Sequence, residues 1–88
     1  MPRYFFDVHD GVHDIDSEGT ELVGIAQART QAAEMAGKLL SDNAEKFWSG
    51  DDEWTIAVRD ESGLALCSLI FMAVEAPASG RARRGRQS

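Results

Sequence analysis

The 88-residue chain holds one cysteine, Cys67, so it can close no disulfide within itself. A multi-cysteine metal cluster is excluded on the same count, and a lone thiol fits a reducing compartment. No apolar run is long enough to span a bilayer: the longest, Leu64 to Val74, is broken by Ser68. The stretch from Met1 to Phe6 has no apolar segment of signal-peptide length. A cytoplasmic location is the expectation. Basic residues are scarce ahead of the C-terminal tail. Residues 1–76 carry 15 acids against five bases (Arg3, Arg29, Lys38, Lys46 and Arg59), a net charge of −10. Such a body repels nucleic acid and anionic membrane. The sequence also lacks a glycine-rich phosphate loop, a Ser–His–Asp set and paired inward carboxylates. No catalytic residue and no cofactor is expected, and an enzyme is disfavoured.

What remains is an ordinary globular composition, 43% apolar and 27% charged, in a length that suits one domain. A domain this short buries a modest core, and oligomerisation is a common remedy. The domain is expected over 1–76. Beyond Pro77 the composition collapses to Ala, Ser, Gly, Arg and Gln, so 77–88 reads as a disordered arginine-rich tail.

Arg3 to His9 alternates, with Tyr4, Phe6 and Val8 on one face and Phe5, Asp7 and His9 on the other, which predicts a strand. Asp10-Gly11 predicts a two-residue hairpin turn, with a short return strand over Val12–Ile15. From Gly24 the period becomes helical: Ile25, Ala28, Ala32, Met35, Ala36 and Leu39 share a face. Its alanines suit a helix lying close on a sheet. That helix ends at Ser41-Asp42-Asn43 or runs on to Phe47 and Trp48. Ser49-Gly50-Asp51-Asp52 reads as a loop. Trp54 to Asp60 alternates again, and Glu61-Ser62-Gly63 turns into a last strand over Leu64–Glu75. The fold class is α+β: a ββαββ order, with a four-stranded antiparallel sheet and one long helix packed on one face.

The last strand is apolar on both faces. Leu64, Leu66, Ile70, Met72 and Val74 share one, and Ala65, Cys67, Leu69, Phe71 and Ala73 share the other. One helix covers one face, and an antiparallel strand with a solvated face should alternate. Phe5, Leu69 and Phe71 are therefore expected on an uncovered side, at an interface with a second copy. The competing expectation is that the helix and its following loop wrap over the strand.

Met1-Pro2-Arg3-Tyr4-Phe5-Phe6-Asp7 with Asp10-Gly11, then Glu18-Gly19-Thr20-Glu21-Leu22, then Arg59-Asp60-Glu61-Ser62-Gly63 resemble as a set a family of short bacterial proteins of unknown function that open M-P-R-Y-[FY]-F. Relatives often carry Pro-Asp before the helix, where Val23-Gly24 stands here. The resemblance covers residues 1–76 and implies domain limits but no chemistry. More loosely, a strand–turn–strand before an alanine-rich helix in an acidic domain resembles HicB-type antitoxins, at the level of fold alone. Their usual Pro and Gly-Cys pattern is missing.

Several side chains could carry chemistry. His9, His13, Asp14 and Asp16 lie within eight residues and offer imidazole and carboxylate, a transition-metal donor set. Exposed turn residues are the favoured reading, and no metal is expected. Asp14 to Gly19 copies the first half of a calcium loop, but Ile25 stands where its closing Glu belongs, which rejects an EF-hand. Cys67 lies among apolar neighbours with no flanking His or Lys and reads as core. Trp54 is in phase with Ile56 and Val58 and also reads as core. Trp48 reads as a helix-end residue covering the core, with a partner-facing anchor as the alternative. Arg81, Arg83, Arg84 and Arg86 suit phosphates but lack interleaved aromatics, so a solvated terminus is favoured over nucleic-acid binding. The leading functional reading is a small homodimeric protein-interaction or accessory domain. The runner-up is an antitoxin-like, nucleic-acid-associated regulator acting through the tail, and the third is a metal-binding domain using His9 and His13.

Overall fold

Alternation of aromatic and polar residues builds strand β1 over Arg3–His9, the predicted span. The structure, a computed structural model, describes residues 1–50 and 53–76. Asp51, Asp52 and the arginine tail lie outside the described residues. After β1 come β2 (His13–Asp14), β3 (Thr20–Glu21), helix α1 (Ile25–Asp42), helix α2 (Ala44–Ser49), β4 (Trp54–Arg59) and β5 (Ala65–Phe71). All pairings are antiparallel, and the order is β2-β1-β4-β5 with β3 also on β1. The fold is thus α+β, with five strands and two helices among the described residues. It differs from the expected four strands and one helix by the two-residue β3 and by α2.

The expected two-residue turn at Asp10-Gly11 is corrected. His9 pairs with His13, so the loop is three residues long, Asp10 to Val12. Gly11 takes φ +94°, a backbone that side chains with a Cβ rarely adopt. The return segment is anchored further on, at Asp16, and that anchor rather than the turn chemistry sets the register.

Both expected ends of the long helix have a counterpart. Asn43 stops α1, its backbone N–H donating to the Leu39 and Leu40 carbonyls and its side-chain amide to Leu39 O. Its own carbonyl then accepts from Phe47 N–H and starts α2. At the other end Gly24 supplies no side-chain cap, and Gln27 reaches back so that Val23 N–H donates to its Oε1 at 2.8 Å.

The core lies between α1 and one face of the sheet. Ala28 and Ala32, with 0% and 1% exposure, let the helix backbone approach Tyr4, Phe6, Leu22, Ile56 and Val58. Phe47 of α2 extends this cover, its ring 5.0 Å from Trp54 and 6.0 Å from Phe71. Trp48 is 57% exposed. Covering the core therefore falls to Phe47, which corrects the favoured reading of Trp48.

The placement of Leu69 and Phe71 on the uncovered side is also corrected. Residues opposite one another on antiparallel strands share a face. Trp54 faces Phe71, Ile56 faces Leu69 and Val58 faces Cys67. Leu69, Phe71 and Cys67 accordingly pack against the core. A register irregularity at Val58/Arg59 fixes this phase, and in a strand a one-residue slip exchanges the two faces. The turn before β5 is pinned by Asp60, whose Oδ1 accepts from Ser62 N–H, the Ser62 hydroxyl and Leu64 N–H. The Ser62 hydroxyl first, and then the Leu64 N–H, hold the Asp60 carboxyl below the usual carboxylate range.

Because α1 rests on the sheet through alanines, Ala32→Leu is expected to overpack this contact and destabilise the domain by about 1–3 kcal/mol. Urea unfolding followed by far-ultraviolet circular dichroism reads the shift; an unchanged midpoint would show that the helix has room to lift.

Candidate functional site

The face of the sheet turned away from α1 carries Phe5, Asp7 and His9 from β1, Thr55, Ala57 and Arg59 from β4, and Ser68 and Ile70 from β5, as the pairings require. Two features occupy it: a polar knot on the β1 side and an apolar stripe on β5.

The knot is built on Asp7, Asp16 and Arg59. Arg59 donates through Nε to Asp7 Oδ2 at 2.7 Å, and through its terminal nitrogen to Asp7 Oδ1 at 3.3 Å and to the Asp16 carbonyl at 2.7 Å. Asp7 Oδ1 also accepts from Asp16 N–H at 2.9 Å. The Asp16 carboxylate is spent on the backbone. Oδ2 accepts from Phe6 N–H at 3.1 Å, and Oδ1 accepts from Glu18 and Gly19 N–H, each at 3.0 Å. Partial burial pulls the Asp16 carboxyl upward, but the N–H donors of Gly19, Phe6 and Glu18 and the charge of Arg59 outweigh it and hold it below its ordinary value. The Arg59 guanidinium lies 4.6 Å from the centre of the Phe5 ring. Gly19 is required here: its φ is +75°, and a Cβ would meet Arg3 Cγ at 2.7 Å and Phe5 Cε2 at 2.9 Å.

His9 and His13 do come together, as a directly opposed pair with ring centres 4.1 Å apart and planes tilted by 32°. His9 Nδ1 is buried without a hydrogen-bond partner. Asp16 is turned into the knot and Asp14 is exposed. Among the described residues no group of three or more His, Cys, Asp or Glu side chains is placed to hold a metal ion. Cys67 is a free thiol, half-buried against the core. Beside α1 an apolar cleft of about 230 Å³ opens between Val8, Met35, Leu39 and Ile56. The Lys38–Asp42 ion pair, at 3.2 Å, belongs to its lining.

The stripe on β5 consists of Leu66 and Ile70 flanking Ser68, continued by Met72; across the irregularity Ala65 is opposite Arg59, so Leu64 falls on the other phase. Leu64, Ile70 and Met72 are more than half exposed. Of the three residues expected at an interface, Phe5 lies on this uncovered face, half-buried beneath Arg59. Leu69 and Phe71 pack toward the core instead, and Leu66 and Ile70 lie on the uncovered face. Arg81, Arg83, Arg84 and Arg86 lie outside the described residues. The knot escaped the sequence reading, although a signal was present: Asp7 and Arg59 fall on the non-core phase of two strands with buried alternate positions.

The family described as Domain of unknown function (DUF6894) matches residues 3–73. The match spans most of the chain, which therefore belongs to that family. No curated protein and no solved structure matches it. No described helix is long and apolar enough to cross a membrane.

Asp16→Ala leaves three backbone N–H groups short of an acceptor and is expected to cost about 2 kcal/mol at neutral pH. Since the folded-state pKa of Asp16 lies below its ordinary value near 3.8, its contribution is complete above that value and is lost as pH falls through the folded pKa. The gap between wild type and Asp16→Ala should therefore narrow in acid. Chemical denaturation at a series of pH values measures it, and a gap independent of pH would contradict a charged acceptor.

Proposed function

We propose that this chain, a member of a family with no assigned activity, acts as a homodimeric interaction or accessory domain whose contact surface is the outward side of β5. The observation that carries the reading is the apolar stripe of Leu66, Ile70 and Met72, which no described residue of the helical layer covers. Soluble monomers seldom present a contiguous apolar strip of this kind without a use for it. No charged residue interrupts the chain from Leu64 to Val74. On a body of net charge −10, such a strip is where two like-charged copies can approach with least repulsion. A second copy is the simplest occupant, because closed two-fold dimers are the commonest assemblies of soluble chains. Binding, rather than catalysis, is what a shallow apolar strip offers.

Light scattering behind size exclusion on the full chain should give a mass that rises from monomer to dimer with concentration. Leu66→Glu and Ile70→Glu should each shift it to monomer while leaving the circular dichroism spectrum intact. Leu69→Glu, which puts a charge against the core, should instead unfold the domain. A dimer that survives both outward changes, or a wild-type chain monomeric at every concentration, would overturn the reading.

A further inference from the structure

The two edges of the sheet are built differently. On the β1 side the edge is broken into the two-residue strands β2 and β3, and the gap between them is filled by the Asp16 carboxylate bonded to Phe6 N–H. Short strands and charges are how native sheets blunt an edge. On the other side β5 runs seven residues with no charge and no proline. The irregularity opposite Val58/Arg59 sits at its hairpin end, so Cys67–Phe71 stays in regular register.

The direction of the free backbone groups on β5 follows from the ladder. Phe6 N–H points away from β4, toward Asp16. Its partner Val58 therefore points its own N–H and C=O toward β5, since along a strand the two sides alternate. Val58 is opposite Cys67, so Cys67 bonds inward and its neighbour Ser68 turns N–H and C=O to the open edge. Ile70, two residues on, does the same.

The strand is also close to a palindrome about Ser68. Leu66 and Ile70 lie two residues on either side of it. Resting on the homodimer reading above, we infer that two copies join edge to edge, β5 against β5 antiparallel, with the two-fold axis at Ser68. In that register Leu66 lies opposite the partner's Ile70. The small polar residue stands at the axis, where Ser68 N–H and C=O exchange bonds with the partner's Ser68. The sheets become continuous, and the apolar residues of the two stripes touch side by side as cross-strand pairs.

The size of the seam is consistent with a real but modest dimer. The seven residues of β5 at about 3.4 Å each give a contact roughly 24 Å long. A seam of that length sits at the small end of the roughly 1,000 Å² and more that specific interfaces bury. A dimer that dissociates on dilution is the expected behaviour.

Two variants of the full chain test the register. Ser68→Pro removes the outward N–H and no bond to β4, so the fold should persist and the dimer dissociation constant should rise at least tenfold. Circular dichroism checks the fold and light scattering the mass. In a Cys67→Ala background, Ser68→Cys places two thiols across the axis, where opposed Cα atoms stand about 5.5 Å apart, within disulfide reach. Mild oxidation should give a covalent dimer on a non-reducing gel, whereas Thr30→Cys on the exposed side of α1 in the same background should not. A folded Ser68→Pro chain with undiminished dimerisation, or a dimeric Ser68→Cys chain that does not cross-link, would overturn the edge-to-edge arrangement and leave the homodimer standing. A wild-type chain that never dimerises would overturn the homodimer itself.

Discussion

The bond from Phe6 N–H to the Asp16 carboxylate is the contact on which the rest of this structure depends. Between β2 and β3 the chain leaves the sheet, and β1 would otherwise hold an unpaired donor at half-buried depth. An unmet donor of that kind costs as much as a lost hydrogen bond. Asp16 meets it with a side chain in place of a strand, and in the same stroke caps Glu18 and Gly19. Asp7 and Arg59 then hold Asp16 through its backbone N–H and C=O. Arg59 comes from β4, so the knot ties the chain's first hairpin to its last across 43 residues of sequence.

Closing one edge in this way makes the molecule asymmetric. The β1 edge is polar, charged and short of free backbone groups, whereas the β5 edge is longer, uncharged and regular over Cys67–Phe71. The helical layer adds to the difference. Alanine contacts let α1 sit close over β1 and β4. The far corner at Phe71 is reached by Phe47 of α2. One helical layer leaves the opposite face bare, and the knot covers part of that face near β1. What stays open is the β5 side, where both the outward side chains and the edge backbone lack partners among the described residues.

Much of the fold was legible in local pattern. The alternation in Arg3–His9 and Trp54–Asp60, and the helical period from Gly24, each located an element within a residue or so, because each has one buried face that imposes its period. The phase of β5 was not legible. With apolar residues on both sides, periodicity cannot choose the inward set, and the choice is made by the Asp60 turn and the irregularity at Val58/Arg59. The knot was hidden for a different reason. Asp16 was visible as an oxygen donor among neighbours of like kind, and a ligand set and a backbone cap draw on the same residue types. Only the long-range pairing of β1 with β4, which brings Arg59 beside Asp7, distinguishes them.

The charge distribution fits the same division of labour. An excess of ten negative charges over residues 1–76 keeps copies apart in most orientations, and the effect weakens beyond about 10 Å at moderate salt. Repulsion of this range acts against random collisions but little along a strip that carries no charge. In the proposed arrangement it does for the open β5 edge what lysines and prolines do for other edges: it suppresses indiscriminate stacking while leaving the β5-to-β5 approach available. An edge with its own gatekeeping charges would be safe but unable to pair. Here the protection is placed on the body instead, and the strand keeps the chemistry of a contact surface.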